Sequence, residues 1–229
     1  MAAYYKKRRV ETKLIVFSRN RPYQLTACLG SAVQVGKFEL ESIAVMHRYD
    51  EKYSLGLHTV VEEFPRVKFI REVVWDQCLR KTLELCGKTM AFATDDSVFT
   101  RECPWNLGES ILGAQEEVLA FSHRYGLHLD YCNVQKKPVC CPDGAIRKGV
   151  FYWRWTNAGQ MWDFLGSVDA HQFRTSDITQ WVGGSRSPNT LEDCLHRNDK
   201  SMRPIAACMP VSCYLTIPAN RVQEDHLNE

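Results

Sequence analysis

The sequence contains no run of about 18 apolar residues, so no segment is long and apolar enough to span a bilayer as a helix. No C-x-x-C pair occurs among its ten cysteines, which removes the commonest zinc-ribbon and redox spacings. Cys140 and Cys141 are adjacent, a poor geometry for sharing one zinc ion. Neither sign of charge dominates. The formal net charge is +2, so composition provides no reason to expect a nucleic acid or another polyanion as partner. The one dense basic run is Lys6-Lys-Arg-Arg9, read as a solvated tail. The first apolar stretch, residues 14–17, is too short for a secretory h-region. The cysteines lie within apolar segments, with Cys28, Cys78 and Cys86 on buried helix faces. They are expected to be reduced thiols acting as small hydrophobes, and a cytoplasmic location follows as the expectation.

What is present suits a globular enzyme-sized domain. Hydrophobic residues make up 45% and charged residues 24% of 229 residues, enough for one well-buried domain and too few for two. Residues 13–17, Lys-Leu-Ile-Val-Phe, form a first strand. A polar turn, Ser18 to Pro22, precedes a helix marked by Leu25, Cys28, Leu29, Ala32 and Val33 at helical spacing. Pro22 suits that helix's first turn, where its missing N–H costs nothing. Residues 40–46 read as a strand, 50–64 as a helix stopped by Pro65, and 67–70 as a third strand. Trp75, Cys78, Leu79, Thr82, Leu83 and Cys86 make another helical stripe, with Gly87 at the expected C-cap. Residues 90–93 are a fourth strand that runs directly into Asp95 and Asp96.

The alternation β-α-β-α-β-α-β predicts a mostly parallel sheet with helices on both faces. Ligands in such sheets bind beyond the carboxyl ends of the strands. Two polar segments lie there, Ser18 to Arg21 and Asp95 to Ser97. The second half is less regular. Strands are expected at 117–123, 150–155 and 211–217, helices at 176–182 and 190–197, and an irregular loop at 131–149. Cys103-Pro-Trp-Asn106 reads as a structural turn, and residues 223–229 as a frayed tail.

Two adjacent carboxylates after a buried strand repel each other unless a cation relieves them. A hard divalent ion does so and takes further oxygens from a diphosphate. Asp95 and Asp96 therefore make sense as a Mg²⁺ or Mn²⁺–diphosphate platform. A solvated strand-end turn is the plainer alternative.

The segment Lys13-Leu-Ile-Val-Phe-Ser-Arg-Asn-Arg-Pro22 followed by a helix resembles the opening of type-A (GT-A) nucleotide-sugar glycosyltransferases, family-2-like members above all. Phe92-Ala-Thr-Asp-Asp-Ser-Val-Phe99 resembles their Asp-x-Asp donor motif, with Ser97 where a second motif Asp is usual. Ser167-Val-Asp-Ala-His171 and Ser187-Pro-Asn-Thr-Leu-Glu192 resemble later segments of small viral and bacterial members. The resemblance implies a single α/β domain, 1–229, with a mixed, mostly parallel central sheet flanked by helices. Residues about 12–100 would bind the nucleotide sugar and about 101–222 the acceptor. It places Ser18, Arg21 and Asp76 around a uridine diphosphate, Asp95 at the ribose or a phosphate-bound water, and Asp96 on the metal. Asp95 itself and His171 are further candidate ligands. The base that activates the acceptor hydroxyl would be a carboxylate. Asp169 is the first candidate, and the Glu192–Asp193 pair is the alternative. Asp76, Glu192 and Asp193 could also be helix-start carboxylates answering the dipole. Trp153 and Trp162, near Trp155, are candidate acceptor platforms, although core positions suit them equally. Arg174 and Arg186 are candidate phosphate partners.

The implied reaction moves a sugar from a nucleoside-diphosphate donor, UDP-linked by preference, to a glycan hydroxyl with inversion. The chain could be one domain of a larger multi-transferase polypeptide. Two other classes remain open. A sugar nucleotidyltransferase would share the architecture, but the turn at 18–22 lacks the glycines such enzymes carry in their phosphate loop. A non-catalytic nucleotide- or glycan-binding domain would keep the pocket and lack turnover.

Overall fold

The computed structural model describes residues 11–132, 135–197 and 203–217. The basic run at 6–9 and the tail at 223–229 lie outside the described residues. The N-terminal alternation appears as expected. Strand β1 (Lys13–Arg19) leads into helix α1 (Pro22–Gln34), β2 (Ile43–Arg48) into α2 (Ser54–Glu63), and β3 (Lys68–Arg71) into α3 (Trp75–Leu83). Then β4 (Thr89–Thr94) ends at the two aspartates. These four strands pair in parallel in the order β3-β2-β1-β4. Leu14, Ile15 and Val16, like Met90 through Ala93, have no solvent exposure, the unbroken apolar run of a strand covered on both faces. Residues 40–42 form a 3-10 turn rather than the start of β2. Gly87 caps nothing. Helix α3 ends at Glu84, and Gly87 instead lies against the Glu11 carbonyl, 3.1 Å from where a Cβ would be.

The second half holds β5 (Ser97–Phe99), α4 (Trp105–Ala114), β6 (Val118–Ser122), β7 (Tyr131–Cys132), β8 (Lys137–Pro138), β9 (Gly144–Arg147), β10 (Val150–Arg154), β11 (His171–Arg174), α5 (Thr175–Trp181), α6 (Pro188–Arg197), β12 (Ile205–Cys208) and β13 (Tyr214–Thr216). The main sheet has nine strands in the order β3-β2-β1-β4-β11-β6-β12-β10-β9. The Cys103–Asn106 segment is not just a turn, because Trp105 begins α4 with Pro104 at its N-cap.

One topological feature positions the site. Strand β11 is inserted between β4 and β6 and runs antiparallel to both. Its N-terminal end therefore lies at the edge where β4 and β6 end. Residues just before β11 come to face residues just after β4. The residue that makes this entry is Ala170, in the left-handed region at φ 50. An L-residue with a Cβ adopts this conformation at a cost. It is held there by its N–H donating to the Phe92 carbonyl (2.8 Å) and its carbonyl accepting the His123 N–H (2.9 Å). The short ribbon of β5 and β13 crosses the same edge.

Candidate functional site

A cleft of about 460 Å³ opens at this edge, a size suited to a nucleotide-sized ligand. Its walls come from the turn after β1 (Ser18, Arg19, Arg21), the ends of β2 and β3 (Arg48, Glu72), the residues after β4 (Asp95, Asp96), Val168 and Asp169 before β11, the start of α6 (Arg186 to Glu192) and Thr216.

On one side sits a buried charge cluster. The Asp95 N–H donates to the Phe17 carbonyl, which ties the residue to the end of β1. Both Asp95 carboxylate oxygens are engaged. Oδ2 accepts from Ser18 Oγ (2.9 Å) and the Arg19 N–H (3.2 Å), and Oδ1 from Arg21 Nη1 (3.1 Å). The same Nη1 donates to Asp96 Oδ2 at 2.9 Å. Ser18 Oγ is also 2.7 Å from the Tyr49 hydroxyl. One guanidinium, 7% exposed, thus bridges two neighbouring carboxylates. Burial still dominates at Asp95. It pushes the carboxyl up to about 6, Arg21 and Ser18 pull it down, and Asp96 adds to the rise.

Opposite lies a second group. Arg124, just past β6, donates a short hydrogen bond to Asp169 Oδ2, and Thr216 Oγ1 donates to Asp169 Oδ1 at 3.3 Å. Burial alone would lower the pKa of Arg124, but Asp169 together with Tyr125, Tyr214 and Glu192 outweighs it and keeps the guanidinium charged. Glu192 Oε1 accepts the Val168 N–H at 2.9 Å. Burial first, and the Asp169 charge second, raise the Glu192 carboxyl to about 7. The cleft therefore holds a carboxyl poised to exchange a proton near neutrality, the property a general base needs.

The sequence-derived residues divide accordingly. Ser18, Arg21, Asp95, Asp96, Asp169 and Glu192 converge on the cleft. Others do not. Asp76 points to solvent, its side chain 44% exposed, and pairs with Arg80 one turn along α3; its neighbour Trp75 lines the cleft instead. Asp193 lies on the outer face of α6, 62% exposed, toward Arg197. Trp153 and Trp162 are core residues, 1% and 0% exposed, packed edge to face, with Trp153 Nε1 donating to the Trp162 carbonyl. Neither can offer a face to a sugar. Trp155 is equally buried. His171 enters the sheet after the Ala170 bend and is fully buried beside Tyr125 and Phe173. Burial holds its pKa well below the ordinary value, and it does not line the cleft. Arg174 serves the fold, donating to the carbonyls of Leu112, Gln115 and Val118 at the end of α4.

Arg19 falls within the Ser18–Arg21 segment expected at this edge, whereas no motif marks Arg48, Tyr49, Glu72, Arg124 or Thr216. Arg48, Glu72 and Arg124 each follow a strand at the ligand-binding edge, a positional signal that could have found them. Thr216 belongs to the β13 ribbon, whose course no local pattern reveals.

The Asp pair fits a hard cation in part. All its donors are oxygens, and Asp96 Oδ1 has no protein partner among the described residues. Asp95 is saturated by protein donors. No third side-chain ligand closes on the pair among the described residues. An ion would bind through Asp96 and draw its other ligands from a diphosphate and water, a sparse set that Mg²⁺ accepts.

Gly166 keeps the two halves of the second group together. A Cβ on it would meet the backbone of α6, 2.6 Å from the His196 nitrogen and 3.0 Å from the Glu192 carbonyl. Gly166→Ala is expected to push α6 outward and cost about 1–3 kcal/mol, read as a lowered midpoint in thermal denaturation. An unchanged midpoint would mean that the loop yields freely.

No family model matches the chain. Over 193 residues it is 23% identical to the bifunctional glycosyltransferase pgtA of Dictyostelium discoideum, covering 75% of this chain and 25% of that protein. The S. aureus protein TarS, residues 1–349, solved in complex with UDP-GlcNAc, superposes with a TM-score of 0.53 at 13% identity, covering 89% of this chain and 57% of that one. GalNAc-T7, solved with UDP, GalNAc and Mn²⁺, superposes with a TM-score of 0.54 at 8% identity, covering 92% and 44%. The chain thus spans about a quarter of the curated relative and roughly half of these structures. No helix among the described residues is long and apolar enough to cross a membrane. These superpositions, with the mixed central sheet flanked by helices, give the chain a GT-A-like fold.

Proposed function

We propose that this domain is a glycosyltransferase that binds a nucleoside-diphosphate sugar, UDP-linked by preference, and transfers the sugar to a glycan hydroxyl with inversion. The observation that carries the reading is the cleft itself. It sets Asp95, Asp96 and Arg21 on one wall and a proton-accepting carboxylate on the other. The nucleotides in the TarS and GalNAc-T7 structures support it.

In this reading the turn after β1 and the Asp pair hold the ribose and diphosphate. A Mn²⁺ or Mg²⁺ ion held by Asp96 would neutralise charge on the departing diphosphate. Glu192 takes the proton from the acceptor hydroxyl. The acceptor oxygen forms a bond to the anomeric carbon, the bond from that carbon to the phosphate oxygen breaks, and the nucleoside diphosphate leaves with the electron pair. Asp169, clamped by Arg124 and Thr216, positions the acceptor side and tunes Glu192. Asp169, the first candidate from sequence, gives way to Glu192 here because its two oxygens are already held.

A second reading has its own support. Arg21 already bridges Asp95 and Asp96, the place a metal would neutralise, so the donor site could work without an ion. A thermal-shift panel with UDP, GDP, CDP and TDP, each with Mn²⁺ and with EDTA, separates the two. UDP at about 100 times its Kd should raise the midpoint by roughly 5–10 °C. A shift that needs Mn²⁺ supports the metal-bound donor. A shift that survives EDTA supports the arginine site. No shift with any nucleotide removes the donor-site reading.

A further inference from the structure

We propose that Cys103, His123 and Cys213 form a buried zinc site that is distinct from the cleft and structural in role. The three residues lie far apart in sequence: before α4, after β6 and before β13. Their donor atoms all lie within 4.8 Å of one another. A zinc–sulfur bond of about 2.3 Å at the tetrahedral angle sets ligand–ligand edges of about 3.8 Å, so the sulfurs and nitrogen need only a small inward movement. His123 Nδ1 is already 3.6 Å from Cys213 Sγ.

The imidazole is prepared for a metal. Gln172 Nε2 donates to Thr12 Oγ1 (2.7 Å) and to the Trp105 carbonyl (3.3 Å). A carbonyl can only accept, so the amide nitrogen must point that way, and Gln172 Oε1 must face His123 Nε2, 3.2 Å away. An amide oxygen also only accepts. Nε2 therefore carries a hydrogen, which leaves Nδ1 as the ring nitrogen available to a metal, 3.6 Å from Cys213 Sγ. Holding the remote nitrogen by an acceptor is how proteins orient metal-binding histidines. The Trp105 ring packs against His123, tilted by 47° with centroids 3.8 Å apart.

The sulfurs lack strong partners. Cys103 Sγ has long contacts to the carbonyls of Arg101 (3.7 Å) and Cys213 (3.9 Å), Cys213 Sγ has one to the His123 carbonyl (3.6 Å), and beyond these the two thiols and the imidazole face one another. All three residues are 5% exposed or less. Two thiolates with one Zn²⁺ are neutral overall, which suits burial better than a bare thiolate does. Two sulfurs and an imidazole are soft to borderline donors and disfavour Mg²⁺ or Mn²⁺. Three protein ligands leave the fourth corner of the tetrahedron to a non-protein ligand. Binding would pin the β5–β13 ribbon, and with it Thr216, to the sheet.

The test uses the whole chain purified under reducing conditions. Its metal content is measured, zinc is removed with a chelator, and Co²⁺ is added as a coloured substitute. The expected result is one zinc per chain, a thiolate-to-cobalt charge-transfer band with tetrahedral d–d bands, and a midpoint restored by Zn²⁺ and not by Mg²⁺. Cys103→Ser and Cys213→Ser should each abolish that charge-transfer band. Cys194→Ser and Asp96→Ala should keep it. Because the titration of the unaltered chain needs no variant, misfolding of a cysteine variant does not blunt the test. Protein that purifies without zinc and takes up Co²⁺ without the band overturns the proposal. So does binding of copper(I) alone, or a Cys103–Cys213 disulfide found by mass in place of metal.

Discussion

Glu192→Gln is expected to lower kcat by a factor of about 10²–10⁴ while donor binding stays intact. The amide keeps the shape of the side chain and can still accept the Val168 N–H, so α6 stays in place. What it loses is the ability to take a proton. The pH profile carries the sharper test. A base acts only when deprotonated, so kcat/KM should rise through about pH 7, the value to which burial and Asp169 push this carboxyl. Asp169→Asn removes one charge that raises it and leaves Arg124, which lowers it. The acid limb should then move to lower pH with activity retained in part. If Asp169→Asn abolishes turnover and Glu192→Gln does not, the base is Asp169 and the roles assigned to the two residues are reversed. A folded-state pKa above the ordinary value also has a stability consequence. Protonated Glu192 favours the folded state, fully so below pH 4.5, and that contribution is lost as pH rises toward about 7.

Arg21→Ala is expected to destabilise the fold by about 3–5 kcal/mol at neutral pH, the effect of removing one partner from a buried charge group. Asp95 is 4% exposed, and Asp96 is its neighbour in sequence. Without the bridging guanidinium the two carboxylates face each other unrelieved. Even with Arg21 present the Asp95 carboxyl is raised from 3.8 to about 6. Its stabilising proton is fully bound below 3.8 and lost as pH rises through about 6. In the variant this loss extends to higher pH, so the gap from the unaltered chain should be small near pH 4 and widest above pH 7. Chemical denaturation at pH 5 and pH 8, with and without Mn²⁺, reads it out. Recovery of the midpoint by Mn²⁺ at pH 8 would mean that the pair accepts a hard cation where the guanidinium was. Loss of donor binding with no rescue by Mn²⁺ would make Arg21 the resident cation of a metal-free donor site.

The half of the site nearest the N-terminus was legible because local patterns carry it. Strands β1 and β4 are continuous apolar runs, each ended by a polar segment, and parallel βαβ units bring such ends to one edge. Ser18, Arg21, Asp95 and Asp96 follow from that rule. The C-terminal half resisted for a physical reason. Strand β11 reads His-Gln-Phe-Arg, and its Gln172 is fully buried because Thr12, Thr89, Trp105 and His123 satisfy it across the sheet. Such a strand has no apolar alternation to detect. Tryptophan is ambiguous in the same way, since its ring serves a core or a sugar equally well. Asp76 and Asp193 misled because a carboxylate in a helix's first turn is favoured by the dipole whether or not a ligand is near.

By itself, then, the sequence determined the parallel N-terminal sheet, the edge at which the cleft opens and the carboxylate pair that lines it, because periodicity and strand-end chemistry are local properties of the chain. Tertiary structure alone decided that Arg21 bridges both aspartates, that Arg124 and Thr216 hold Asp169, that Glu192 rather than Asp193 faces the cleft, and that two cysteines and a histidine meet beneath Trp105. Those facts depend on an antiparallel strand inserted between β4 and β6 and on a C-terminal ribbon folded back over the same edge. Contacts between residues up to 160 positions apart, and the dielectric they create, leave no trace in local pattern.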